Sequence, residues 1–313
     1  MGPGPRFPLA GGMPRANANG IELEYETFGS GPPIVLVMGI GCQMIWWRTA
    51  FCQALADRGF QVIRFDNRDI GLSTWLDHAQ VPPMRAMLPK ALLGLRVDAP
   101  YTLVDMADDV VGLLDHLGLD RAHVVGTSMG GMIAQLVAIH HPDRTASLTS
   151  IMSTTGERRY LGRPDALRAL LGPVPRSRDE VVQRTVDTFR VISAGGPMFD
   201  ADRDEIRALA AVAYDRSFHP RGFVRQLAAI LASGHRRHTL KTITAPTLVL
   251  HGERDPLIPV AAGRATAQLV PGARLHVLRE MGHAMPTQLW TELIDQIAAH
   301  AGSSQRPGSR QSA

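Results

Sequence analysis

A chain of 313 residues that is 45% hydrophobic can bury a sizeable core, either as one large domain or as a core carrying an insertion. Its net charge is only +4, and of its 33 basic residues only Lys90 and Lys241 are lysines, so the positive charge is arginine scattered among acids. With no basic tract, nucleic acid is excluded as an expected partner.

The first segment, Met1 to Arg15, is rich in Gly and Pro and lacks the apolar run of about 7 to 15 residues that marks a secretory signal. No uncharged apolar run of about 18 residues follows anywhere, so neither export nor a membrane span is expected. Residues 1–19 and 301–313 hold too little apolar material to offset the entropy of ordering, which predicts a flexible tail at each end.

Ile34 to Met38 predicts a buried strand, Gly39 to Gly41 a turn and Trp46 to Arg58 a helix. The two cysteines, Cys42 and Cys52, fall here without a CxxC pair or a histidine cluster, so no zinc site is expected and a reduced, cytoplasmic setting fits. Gln61 to Phe65 predicts a second buried strand. Thr102 to Leu117 has apolar residues at helical spacing, with Thr102 as N-cap and Gly118 at the end. A strand, Ala122 to Gly126, then runs into Ser128, and Met129 to His140 reads as a helix stopped by Pro142.

After the strand Ala146 to Met152 the alternation stops. Leu167 to Leu171, Glu180 to Ile192, Asp204 to Tyr214 and Phe223 to Leu231 read as helices separated by Gly-Pro and His-Pro breaks. The alternation resumes with the strand Thr247 to Leu250, a helix over Val260 to Leu269, the strand Arg274 to Leu278 and a helix over Gln288 to His300. This pattern predicts an α/β fold: a mostly parallel central sheet flanked by helices, with a helical cap inserted after the sixth core strand. The expected division is a core of residues 20–152 and 238–300 with a cap over 153–237.

Gly126-Thr127-Ser128-Met129-Gly130 is a G-x-S-x-G run. Five such residues arise by chance in a Gly-rich chain, but between a strand and a helix they predict a sharp turn that exposes the serine. A serine hydroxyl needs an imidazole to take its proton and a carboxylate to fix that imidazole's tautomer. Both follow in chain order: Asp255, before Pro256 and after a buried strand, and His283 in Met281-Gly282-His283-Ala284-Met285-Pro286. Glu253 and His251 are the rivals; Glu253 is closer to its strand end, and His251 at a strand end suggests a structural role. The oxyanion formed by attack needs backbone N–H donors, for which Met129 and Ile40 fit; losing one costs about 3 kcal/mol.

These motifs, with Phe65-Asp66-Asn67-Arg68-Asp69-Ile70-Gly71-Leu72-Ser73, resemble the α/β-hydrolase superfamily from about Asn19 to His300. The wording R-F-D-N-R-D-I-G-L-S-T, H-V-V-G-T-S-M-G-G-M-I-A-Q and E-M-G-H-A-M-P is similar to bacterial carboxylesterases and to esterases related to aclacinomycin methylesterase. Met38-Gly39 departs from the His-Gly of many relatives, a change the Ile40 backbone donor does not depend on. Arg68 and Asp69 read as holding their loop. Trp46, Trp47 and Met285 are candidates for the substrate pocket, and Met129 and Met132 carry both a core and a pocket reading.

The expectation is a serine carboxylesterase working on a small-molecule ester through an acyl-enzyme, with no metal or organic cofactor. A methylesterase on a polyketide-like aromatic ester, a lactonase, a carbon-carbon bond hydrolase, a cofactor-free perhydrolase and a non-enzymatic ligand receptor stay open, as does a homo-oligomer. Serine at 128 argues against branches of the superfamily whose nucleophile is aspartate.

Overall fold

The computed structural model describes residues 14–304. Eight strands, β1 (Arg15–Ala18), β2 (Ile21–Phe28), β3 (Pro33–Val37), β4 (Gln61–Phe65), β5 (Ala122–Thr127), β6 (Thr145–Ile151), β7 (Thr247–Gly252) and β8 (Arg274–Leu278), form one sheet in the order β1-β2-β4-β3-β5-β6-β7-β8. The β1–β2 and β2–β4 pairings are antiparallel and every other pairing is parallel.

The helices are α1 (Thr49–Ala56), α2 (Met84–Leu93), α3 (Leu103–His116), α4 (Met129–His140), α5 (Pro164–Leu171), α6 (Arg178–Ile192), α7 (Pro197–Arg216), α8 (Pro220–Ser233), α9 (Val260–Leu269) and α10 (Trp290–Ser303). Parallel strands covered on both faces must be apolar on both, which is why the central strands read as unbroken apolar runs. Val35, Val37, Phe65 and Val124 face α3 and α4 through Val110, Leu113, Ile133 and Val137. Ile34, Leu36, Val62 and Val125 face α1 and α10 through Phe51, Leu55, Leu293 and Ile297. Each fully buried Val, Leu, Ile or Phe contributes about 1.5–3 kcal/mol. Helix α3 starts on a capping box: Thr102 Oγ1 accepts from the Val104 N–H at 3.2 Å, and Asp105 accepts from the Thr102 N–H at 2.7 Å.

The segment after β6 carries α5 to α8 and, among the described residues, no strand before β7. Three sequence expectations change. The N-terminal tail is shorter than 1–19, because Arg15–Ala18 pairs with β2 and buries Ala16 and Ala18; residues 1–13 lie outside the described residues. At the other end α10 continues to Ser303, while 305–313 of the expected tail lie outside the described residues. The helix expected over Trp46 to Arg58 is a single 3-10 turn, Met44–Trp46, followed by α1. The Arg64 guanidinium donates to the Trp47 carbonyl, and Arg48 is extended at ψ 143°, so the two pieces cannot join.

Strand β3 has β4 on one side and β5 on the other, so the strand order reverses between β3 and β5. In open α/β sheets the crevice beyond the carboxyl ends at such a reversal is where ligands bind. Those ends are Met38 to Ile40 and Ser128.

Candidate active site

Ser128 joins β5 to α4 at φ 54° and ψ −118°, a strained conformation for a residue with a side chain. Its backbone is held from both ends: the N–H donates to the Ile151 carbonyl at 2.9 Å, and its carbonyl accepts from Ser153 Oγ at 2.8 Å and the Gly131 N–H at 3.0 Å. The glycines of the run are needed for approach. A Cβ on Gly126 would lie 2.0 Å from the Gly130 carbonyl oxygen, and one on Gly130 would lie 2.1 Å from that of Val37.

The loops after β7 and β8 bring the other two groups to this turn. His283 Nε2 is 3.0 Å from Ser128 Oγ and its Nδ1 is 2.7 Å from Asp255 Oδ2. In the tautomer with Nδ1 protonated, the ring donates to the carboxylate and accepts from the serine hydroxyl. Asp255 is anchored in turn, its Oδ1 accepting from the Leu257 and Ile258 N–H groups at 2.9 and 2.8 Å. Glu253 is exposed. His251 is fully buried, 2.8 Å from the Ile258 carbonyl, and burial holds its pKa below the usual histidine range. His283 is also tied on its backbone, its N–H donating to the Ile192 carbonyl at the end of α6 at 2.7 Å.

The loop after β3 lies against the serine: a Cβ on Gly39 would be 3.3 Å from Ser128 Cβ. Among the described residues no hydrogen bond ends on the Ile40 N–H, whereas the Gly41 N–H donates to Gln226 Oε1 at 2.9 Å. The Met129 N–H belongs to the first turn of α4, where amides have no acceptor within the helix. Met129 directly follows Ser128 in the chain, and Ile40 directly follows Gly39, which packs on the serine.

Ser128 and His283 open into a cavity of about 390 Å³ whose wall is mainly apolar. Trp46 and Met285 line it, and Trp46 stacks on Phe189 of α6 with ring centroids 4.6 Å apart. Trp47 does not line it: the 3-10 turn sends this ring the other way, fully buried against Phe51 in the core packed on α10. Met129 and Met132 are core residues on the α3–α4 face of the sheet. Cys42 touches the cavity, but desolvation pushes its thiol up to about 12, leaving it protonated.

Arg68 and Asp69 hold structure, as their place in a turn predicts. Arg68 Nε and Nη2 donate to Asp109 at 2.6 and 2.5 Å, and Asp69 accepts from Nε and Nη2 of Arg225 in α8 at 2.9 and 2.7 Å. Further ties join α7 to the segments after β4 and before α10: Arg216 to Asp66 at 2.7 Å and Asp202 to Thr287 at 2.6 Å. Sequence reasoning found none of Asp202, Arg216, Arg225 or Gln226, because each is one polar residue on an ordinary helix whose partner is 85 to 185 positions away, as for Thr287 and Gly41.

A sequence model of the alpha/beta hydrolase fold matches residues 32–195, more than half of the chain. The chain belongs to the α/β-hydrolase family. This hydrolase is 29% identical to rhodomycin D methylesterase of Streptomyces peucetius, over 86% of its own length and 90% of the relative's. Its fold matches a meta-cleavage product hydrolase from Pseudomonas fluorescens at TM-score 0.73 and 21% identity, covering 93% of this hydrolase and 98% of that chain. It also matches an enol-lactonase from Burkholderia xenovorans at TM-score 0.69 and 25% identity, covering 92% and 100%. Among the described residues of this hydrolase, no helix is long and apolar enough to cross a membrane.

Proposed function

We propose that Ser128, His283 and Asp255 form the catalytic triad of a carboxylic ester hydrolase. The observation that carries this is the unbroken chain of hydrogen bonds from Ser128 Oγ through the His283 ring to Asp255, at 3.0 and 2.7 Å, opening on a cavity at the reversal in strand order. His283 Nε2 takes the serine proton as Oγ attacks the ester carbonyl. Asp255 holds the ring with Nδ1 protonated and stabilises the imidazolium that forms. The N–H groups of Ile40 and Met129 receive the oxyanion. Collapse of the tetrahedral intermediate passes the proton from His283 to the departing alkoxide, leaving an acyl-enzyme. Water, deprotonated by the same nitrogen, then attacks the acyl carbonyl, and the carboxylic acid leaves as Oγ regains its proton.

Residues 153–237 act in this reading as a cap over the core of 20–152 and 238–300, their helices setting which acyl and alcohol groups reach Ser128. The substrate is a small-molecule ester, and the two free thiols, Cys42 and Cys52, fit a reducing cytoplasm. A narrower reading, methyl-ester cleavage on a polyketide-like aromatic acid, is favoured by the methylesterase relative and by the rings of Trp46, Phe189 and Phe223 around the cavity.

Hydrolysis of p-nitrophenyl esters from acetate to decanoate, by the protein and by Ser128→Ala, tests the assignment. Turnover that disappears in the variant is the expected result, and turnover that survives unchanged overturns it. Absence of methanol from aromatic methyl esters removes the narrower reading alone.

A further inference from the structure

The Ile40 donor sits on a loop with almost nothing of its own to hold it. Gly39 and Gly41 flank it, and the hydrogen bond this loop closes on itself, from the Cys42 N–H to the Gly39 carbonyl, is long at 3.3 Å. Oxyanion stabilisation depends on donors fixed before reaction begins, so a glycine-flanked donor needs support from elsewhere. That support comes from α8. Gln226 is fully buried and is not part of the cavity wall. Its Oε1 accepts from the Gly41 N–H at 2.9 Å while its Nε2 donates to the Arg68 carbonyl at 2.9 Å. The carboxamide therefore bridges the loop after β3 and the loop after β4, beside two direct ties between them, Asn67 Nδ2 to the Met38 carbonyl at 2.9 Å and the Met44 N–H to Asp66 at 2.7 Å; of the three, only the Gln226 bond reaches the Gly41 amide.

The rest of α8 presses in the same direction. The Phe223 ring lies so close to Gly41 that a Cβ there would come within 2.6 Å of it. Gly222 lies against the Asp69 carbonyl, and Arg225 clasps the Asp69 carboxylate. On the opposite side Gly39 meets Ser128 Cβ. The loop is thus held between the serine and one face of α8, and the Gln226 bond occupies the amide next to Ile40, fixing the plane of the 40–41 peptide.

We infer that Gln226 is a positioning residue for hydrolysis: through the Gly41 N–H it fixes the loop that aims the Ile40 N–H at the oxyanion. This rests on the triad and oxyanion assignments above. The amide cannot be replaced by any side chain that only fills space, since the bond to Gly41 requires an acceptor and the bond to Arg68 a donor.

The test uses Gln226→Met, which keeps the volume and removes both bonds, and Gln226→Glu, which keeps the acceptor for Gly41 and loses the donor to Arg68. Active sites are counted with a fluorophosphonate, so that kcat refers to folded, reactive enzyme, and Ser128→Ala is run alongside. With Gln226→Met we expect kcat on p-nitrophenyl butyrate to fall about tenfold to a hundredfold, short of the loss of a whole donor, with KM within about threefold. The Ki of a trifluoromethyl ketone, which forms an oxyanion on the serine, rises in parallel with the fall in kcat, while that of butyrate as product inhibitor does not. Gln226→Glu recovers most of the lost kcat. An unchanged kcat per titrated site overturns the inference, as does a fall without any change in trifluoromethyl ketone affinity. If Gln226→Met yields no folded protein, Gln226→Glu decides alone: kcat and trifluoromethyl ketone affinity near the parent's support the inference, and a large loss of both counts against it. Turnover by Ser128→Ala would instead mean that the triad assignment has failed.

Discussion

Asp255 and Glu253 stand two positions apart after the same strand, yet only Asp255 is turned inward to His283 while Glu253 faces solvent. Asp255→Asn should lower kcat about a thousandfold to ten-thousandfold by stabilising the wrong imidazole tautomer, while Glu253→Gln leaves it unchanged; steady-state kinetics on one p-nitrophenyl ester distinguish them. Position after a strand and before Pro256 pointed to Asp255, and the G-x-S-x-G run between a strand and a helix to Ser128; both side chains lie on the hydrogen-bonded chain through His283. Trp47 was not readable: whether adjacent tryptophans face a cavity or a core depends on a turn whose geometry Arg64, 17 residues on, helps to set through the Trp47 carbonyl. Gln226 was equally silent, since a buried glutamine bonded to two backbone groups leaves no spacing signature.

Among the elements, those with strong periodicity stood out in the sequence, and α9 and β8 have the expected limits. The β1–β2 hairpin carried its own signals, an Ile-Glu-Leu-Glu-Tyr-Glu alternation and an Asn19-Gly20 turn with φ 49° and 77°, but β1 was hidden within a tail-like composition. Helix α2 was obscured by Pro89 inside it, a residue that normally ends a helical pattern. Helix α8 was legible as a helix but not as a clamp. Its Arg225–Asp69 pair is almost entirely buried, so Asp69→Ala, which leaves the guanidinium only Asp77 and His219 as side-chain partners, should cost about 3 kcal/mol of unfolding free energy, more than the double change Asp69→Leu with Arg225→Met. Urea midpoints of the parent and these two variants measure it.

Across the whole molecule, three histidines outside the proposed triad are buried as neutral rings. Burial lowers His123 to about 4, and it also depresses His251 and His300, in each case as the largest cause. A folded-state pKa below that of the unfolded chain means that the unfolded state takes up protons first. Stability is therefore complete above the ordinary value of 6.5 and declines as pH falls toward about 4. The His123 share is on the order of 3 kcal/mol. Urea unfolding between pH 7 and 4.5 should show this decline, and His123→Gln should flatten it.

The backbone bond from His283 to the Ile192 carbonyl bears on how such enzymes can be recombined. A transplanted copy of the proposed cap, residues 153–237, would bring new walls for the cavity, but it would also replace the carbonyl from which the proposed general base hangs. The workable unit of exchange is accordingly the cap together with the 281–286 loop, cut so that the contact between the end of α6 and Gly282, where a Cβ would lie 2.4 Å from Ser193, is inherited whole. A graft that divides this seam would alter the acid-base step along with the specificity it was meant to change.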